Sequence, residues 1–330
     1  MTLLLVLACA CIAWAGAWMV WRAAPQLGLV ALPNVRSSHQ QPTPHGGGLG
    51  MVLAGTLVGG WLTWSTGVAL LGQVLGLAVV LALVGLRDDL SPVPARVRFA
   101  VQAAVCTGLL GLLGLQAAPV GILLTALMLG LWWVNLFNFM DGIDGLAAAQ
   151  ALFMLAVAAL LSAWGHPERL TDPLWVMMPC LAAAAAGFLL INWPPAKIFM
   201  GDVGSTWIAF MIFALALLSI LDGWLNTLTW LILGAGFIAD ASATLLTRIV
   251  TGQRWTEAHR AHAYQRLARR WHSHQKVTLG MLAFNLLWLL PLAAATQRAP
   301  QWGVALLLLA YAPALRVALG SGAGRVDDGA

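Results

Sequence analysis

Asn135, Asn138, Asp141 and Asp144 recur at intervals of three, where a long apolar run gives way to Gly142 and Gly145. Two amides and two carboxylates within ten residues are costly to place beside lipid, and ionisable groups at such depth mark a working site. Asn135 and Asn138 share one helical face. The two glycines loosen the backbone so that Asp141 and Asp144 can turn inward. Carboxylate and amide oxygens suit Mg2+, which keeps waters and phosphate oxygens as its other ligands. A helix C-terminus followed by an Asp N-cap would explain Asp144 but not all four.

Three further segments carry similar chemistry. Pro42-Thr43-Pro44-His45-Gly46-Gly47-Gly48 opens a helix with N–H groups that can approach an anion, or serves only as a glycine-rich entry for tight packing. Arg87-Asp88-Asp89-Leu90, with Arg96 and Arg98 after it, can bind a divalent ion or take a proton. Its structural alternative is a set of solvated or arginine-paired loop charges. Met200-Gly201-Asp202-Val203-Gly204-Ser205 places one carboxylate before a helix, as a cap or as a ligand with room around it. In 248–276, His259, His262, Arg266 and Arg270 fall along one helical stripe. They read either as a pyrophosphate contact or as a helix resting on anionic lipid. The second reading takes in His272 and His274 as surface residues, while His45 and His166 read as solvated loop residues. Asp240 stands alone within an apolar run, as a partner of the site or as a helix–helix hydrogen bond.

The elements that must hold these residues are membrane helices. The 330 residues are 61% hydrophobic and 9% charged, with 17 Trp, a composition that fits a polytopic membrane protein rather than a soluble core. About eleven runs approach the roughly 20 apolar residues that a spanning helix needs: 2–21, 47–65, 67–86, 99–117, 120–138, 145–164, 173–191, 205–221, 225–247, 277–296 and 301–318. The expectation is an all-α integral membrane protein of one domain over 1–330. The first run lacks a basic start and reads as an uncleaved helix rather than a signal peptide. The four cysteines are scattered in apolar runs and read as small core residues.

With the N-terminus outside and eleven alternating helices, the inner segments are 22–46, 87–98, 139–144, 192–204, 248–276 and the tail. Fifteen of the 17 Lys and Arg fall on those inner ends, leaving Arg169 and Arg298 outside. That asymmetry orients the chain and explains the net charge of +5 without nucleic acid. Every chemical-looking segment then faces the cytoplasm.

These motifs together resemble the polyprenyl-phosphate N-acetylhexosamine-1-phosphate transferase superfamily, from about residue 30 to 270. The resemblance rests on Pro33-Asn34-Val35-Arg36-Ser37-Ser38-His39, the Pro42–Gly48 stretch, Asp88-Asp89, Asn135-x-x-Asn138-x-x-Asp141-Gly-Ile-Asp144-Gly, Pro195-Ala196-Lys197-Ile198-Phe199-Met200-Gly201-Asp202-Val203-Gly204-Ser205 and His259-Arg260-Ala261-His262. The Arg-Ser-Ser-His and His-Arg-x-His forms look more like the O-antigen initiating branch than the muramoyl-pentapeptide branch. The resemblance implies transfer of a sugar 1-phosphate from a UDP-N-acetylhexosamine to undecaprenyl phosphate, at a bacterial inner membrane. It implies Mg2+, with Mn2+ as a substitute, held by Asp202 and Asn138. Asp88 would deprotonate or orient the lipid phosphate beside Asp89. Asn135, Asp141, Asp144, Lys197, His259, Arg260 and His262 would serve the donor. Many relatives carry a lysine where this chain has Arg96, which keeps the charge but as a planar fork. A homodimer is compatible with this reading. The competing classes are a lipid-linked sugar transporter or flippase, which would place its charges near the midplane, and a lipid-diphosphate hydrolase.

Overall fold

A computed structural model describes residues 1–31, 42–254 and 259–326. The Pro33–His39 motif therefore lies outside the described residues. Every one of the eleven apolar runs is helical. In chain order the helices are α1 (Thr2–Leu27), α2 (Leu49–Thr66), α3 (Ala69–Leu90), α4 (Ala95–Leu112), α5 (Val120–Met140), α6 (Leu146–Ala163), α7 (Pro173–Asn192), α8 (Asp202–Leu221), α9 (Thr227–Leu233), α10 (Ala235–Val250), α11 (Ala263–Trp271), α12 (His274–Phe284), α13 (Leu290–Arg298) and α14 (Gly303–Gly320). Among the described residues, sheet is confined to one two-residue antiparallel pair, Val30–Ala31 against Thr43–Pro44. The fold is an all-α multi-pass membrane architecture.

Among the described residues, nine helical stretches are long and apolar enough to cross a membrane, with α12 and α13 forming one of them through a π turn at Asn285–Leu289. The count of eleven is refined at two places. The run 49–66 is helical but diluted by Gly, Thr and Trp. The run 225–247 is not a straight span: α9 and α10 meet at Gly234 at an angle of 74°. The boundary between the second and third runs falls at Gly67, whose φ of 72° ends α2 in a left-handed cap.

Helices α6, α7 and α8 form the enclosed centre, whereas α1, α4 and α14 present much of their surface outward. In a bilayer, helices associate through close van der Waals packing rather than water exclusion. Small residues mark the tightest crossings. A Cβ on Gly48 would lie 2.3 Å from the Cα of Gly204, and one on Gly85 would lie 2.5 Å from the carbonyl oxygen of Asp202. These two contacts seat the glycine loop and the end of α3 directly against the start of α8. Hence the last turn of α3, with its two aspartates, arrives beside Asp202.

Candidate active site

The ends of α3, α5 and α7, the start of α8, and the α11–α12 segment surround a cavity of about 330 Å³, near the lower end of small-molecule sites (roughly 300–1,000 Å³). Its wall includes His45, Asp89, Asn138, Asp141, Asp144 and Asp202. All of these come from segments that the basic-residue count places on one side. Four carboxylates from three separate motifs thus share one cavity at one face of the helix bundle.

Asp89 is used as a helix cap. Its carboxylate accepts the N–H groups of Asp202 (2.9 Å) and Val203 (3.1 Å) and stands 3.5 Å from His45 Nδ1. Gly201 is required for this approach: its φ is +77°, and a Cβ there would lie 2.6 Å from Asp89 Oδ2. Asp88 points to the neighbouring turn, accepting from the Val93 N–H at 2.6 Å and from Arg98 Nη1 at 2.5 Å. The same Nη1 lies 2.9 Å from Asp202 Oδ2, so one guanidinium bridges two carboxylates contributed by different helices. Asn138 donates its amide N–H to Asp202 Oδ1 (2.8 Å) and to Ser205 Oγ (2.9 Å). Its neighbour Asn135 is turned away, donating to Gln102 and to the Leu131 carbonyl.

The turn between α5 and α6 supplies the other pair. Asp144 accepts the Ala196 N–H at 3.1 Å and meets His274 Nδ1 at 3.2 Å. Asp141 forms no side-chain hydrogen bond among the described residues. Burial, followed by repulsion from Asp202, Asp89 and Asp144, holds its pKa well above the usual carboxylate range.

The histidine motif forms a separate, adjoining unit. Asp240 accepts from the N–H groups of Ala263 and Tyr264, both at 2.9 Å, and lies 3.3 Å from His262 Nδ1. Buried Asp240 thereby fixes the start of α11, and the Tyr264 hydroxyl donates to the Phe139 carbonyl at 2.8 Å. This ties α11 to the end of α5, and Asp240 serves as the cap of α11 while also accepting from Thr244 on its own helix. His259 is pushed down to about 4, chiefly by burial and then by His262 and Arg248. Its imidazole is neutral near pH 7.

The site thus gathers Asp89, Asn138, Asp141, Asp144 and Asp202, with Asp88 joined through Arg98. It does not line the cavity with Asn135, His259, His262, Arg260, Lys197 or Arg96. Lys197 is exposed, with Nζ 5.4 Å from the Trp21 ring centre. Arg96 is exposed, and Arg98 stands in the place expected of it. The sequence does not single out Gln265, and two cavity histidines differ from their reading as surface residues: His45, expected in a solvated loop, and His274, expected on a lipid-facing surface.

Among the described residues, no three His, Cys, Asp or Glu side chains are grouped to hold a metal ion alone. Mg2+ seldom asks for that, since one or two carboxylates and a substrate's phosphate oxygens suffice. Asp202 beside an unrelieved Asp141 fits such an ion. Asn138 presents its amide N–H to Asp202 and would offer oxygen only after the amide turns over.

Residues 71–220 match the sequence model of a family described as "Glycosyl transferase family 4". Over 279 residues, the chain is 30% identical to a "Probable undecaprenyl-phosphate N-acetylglucosaminyl 1-phosphate transferase" of Bacillus subtilis (strain 168), covering 79% of this chain and 75% of that protein. The chain belongs to glycosyl transferase family 4. A decaprenyl-phosphate N-acetylglucosaminephosphotransferase of Mycobacterium tuberculosis (strain ATCC 25618 / H37Rv) is 30% identical over 320 residues, covering 79% of this chain and 76% of that protein. A phospho-N-acetylmuramoyl-pentapeptide-transferase of Mycobacterium sp. (strain KMS) is 31% identical over 256 residues, covering 62% and 70%. The first two relatives are named as polyprenyl-phosphate N-acetylglucosamine-phosphate transferases. The matched stretch contains every aspartate of the cavity, whereas His45, Gln265 and His274 lie outside it.

Proposed function

We propose that this protein transfers an N-acetylhexosamine 1-phosphate from a UDP-sugar to undecaprenyl phosphate, releasing UMP, as the first membrane step of O-antigen or a related surface glycan. The observation that carries the proposal is the bridging of Asp88 and Asp202 by Arg98 at the edge of a cavity lined with carboxylates. An acceptor phosphate oxygen forms a bond to the donor's β-phosphorus, and the bond from that phosphorus to the bridging oxygen breaks, leaving the oxygen with UMP. Both reactants are anions, so their approach needs compensating positive charge. Arg98 supplies part of it and can turn from its carboxylates to the acceptor phosphate. Asp88 orients that phosphate and receives any proton it still carries. Asp202, with Asn138 beside it, would hold Mg2+ (or Mn2+), whose chemistry is to neutralise the diphosphate and template its geometry. Asp141 would join the charge balance only once cation or donor is present.

The charges gather at one face rather than at mid-membrane, which favours a transferase over a transporter. Following the basic-residue asymmetry, that face is cytoplasmic in a bacterial inner membrane. Purified protein, undecaprenyl phosphate and a panel of UDP-N-acetylhexosamines with Mg2+ should give lipid-linked product and UMP for at least one donor. Formation of UMP without lipid acceptor, or no product from any donor, would refute the assignment. For sidedness, a cysteine at Gly165 should react with impermeant reagent in intact cells and one at Ser91 should not. The reverse pattern would invert the topology.

A further inference from the structure

We propose that His274, held by Asp144, directly contacts an oxygen of the UDP-sugar donor, and that Asp144 acts through it as a positioning residue. This inference rests on the transferase reading above. His274 is the first residue of α12, remote in sequence from every aspartate of the cavity, yet it forms part of the cavity wall. Its Nδ1 lies 3.2 Å from Asp144 Oδ1 and 3.4 Å from the Asp144 N–H. Nδ1 accepts the Asp144 N–H, with the carboxylate beside it, so the ring proton sits on Nε2. The hydrogen bond accepted at one imidazole nitrogen sets the tautomer, and the other nitrogen is then a donor. Here Nε2 has no partner among the described residues, while 21% of the side chain remains open. A ring anchored at one nitrogen and free at the other is equipped to bind.

The competing role is to dock α12, and other residues already meet it. The Thr278 hydroxyl, one turn along α12, donates to the Asp144 carbonyl at 2.9 Å, and Thr278 is fully buried. Asp144 is itself satisfied by the Ala196 N–H on its second oxygen. Its carboxylate is therefore largely committed to Ala196 and His274, and reaches a ligand through the imidazole. Two sources of the ligand oxygen are available on one donor: its UDP part, or a hydroxyl of the sugar.

The test uses the full-length enzyme with the donor that wild type accepts. His274→Ala should raise the donor KM by roughly tenfold, the value of one good hydrogen bond, while the KM for undecaprenyl phosphate stays within about twofold. His274→Gln, which can return an N–H near the Nε2 position, should recover much of the loss. Asp144→Asn should shift the donor KM in the same direction and add little in the double variant, as expected for one coupled unit. Calorimetric binding of UDP, which needs no turnover, separates the two sources. Weaker UDP binding in His274→Ala assigns the UDP part, whereas loss confined to the UDP-sugar assigns the sugar. Unchanged affinity for both ligands overturns the inference. So does an equal rise in both KM values with a lowered thermal midpoint, which is the signature of a docking residue. Should wild type transfer no sugar phosphate, the functional reading fails by itself, and UDP binding still reports on the dyad.

Discussion

The two aspartate pairs of the site differ in what neutralises them. Asp88 and Asp89, on the last turn of α3, are surrounded by donors: the Val93, Asp202 and Val203 N–H groups, Arg98 and His45. Asp141 and Asp144, in the turn between α5 and α6, share far less. Asp144 takes Ala196 and His274, and Asp141 is left facing three other carboxylates. One pair has each carboxylate supplied with hydrogen-bond donors. The other keeps an unmet demand for positive charge, and that demand lies where a cation and a diphosphate would arrive. In the adjacent motif Asp89 is scaffold and Asp88 is held by Arg98, whereas the spaced motif holds the deficit that ligand binding fills.

The comparison is broken most sharply at Asp202, which touches the compensated end through Arg98 and the deficit through the cavity. Asp202→Asn keeps shape and removes charge, so turnover should fall on the order of 10²–10³-fold with the fold retained. Asn138→Ala should be milder and should raise the Mg2+ concentration for half-maximal rate. Because the two side chains hydrogen-bond directly, less-than-additive loss in the double variant does not by itself diagnose a shared ion. The shifted Mg2+ requirement does, and an unchanged one would remove Asn138 from the metal. Next in size is Arg98→Ala, expected to cost roughly 10²-fold. Arg96→Ala should stay within about twofold, as exposed charges usually do. Equal losses from both arginines would show that charge near the α3 end matters, and not the bridge seen here.

That arginine choice shows what the sequence made legible and what it hid. The helices could be read from their apolar runs because lipid allows little else, but a glycine inside such a run carries no sign of a 74° bend. Arg98 was legible in principle. With Gln102, Val105 and Leu109 it forms a stripe along α4 at offsets of 0, 4, 7 and 11, and the last three are buried. Arg96 lies off that stripe and faces outward. His274 was not legible. Its neighbours in sequence are basic and amphipathic, and only the return of α12 across the Asp144 turn brings it inside. The histidine motif was read as direct ligand contact. Its geometry shows a different use for His262, which is buried against Asp240 at the cap of α11.

The smallest expected effect tests the deficit itself, in ligand-free protein. A carboxyl whose pKa is raised by folding contributes stability below its unfolded pKa and loses it as pH rises through the folded value. Asp141 is raised by burial and by Asp202, Asp89 and Asp144, so at neutral pH its ionised form opposes folding. Asp141→Asn imitates the protonated state at every pH. The thermal midpoint of this variant in detergent, without cation or donor, should therefore exceed that of wild type at pH 7–8. The gain should shrink as pH falls through the range in which wild-type Asp141 takes up its proton and on toward the unfolded carboxyl's pKa. Mg2+ with UDP should narrow the gap from the other side, by stabilising wild type more than the variant. A variant less stable than wild type across the whole pH range would mean that Asp141 is already compensated, and the contrast between the two pairs would then be lost.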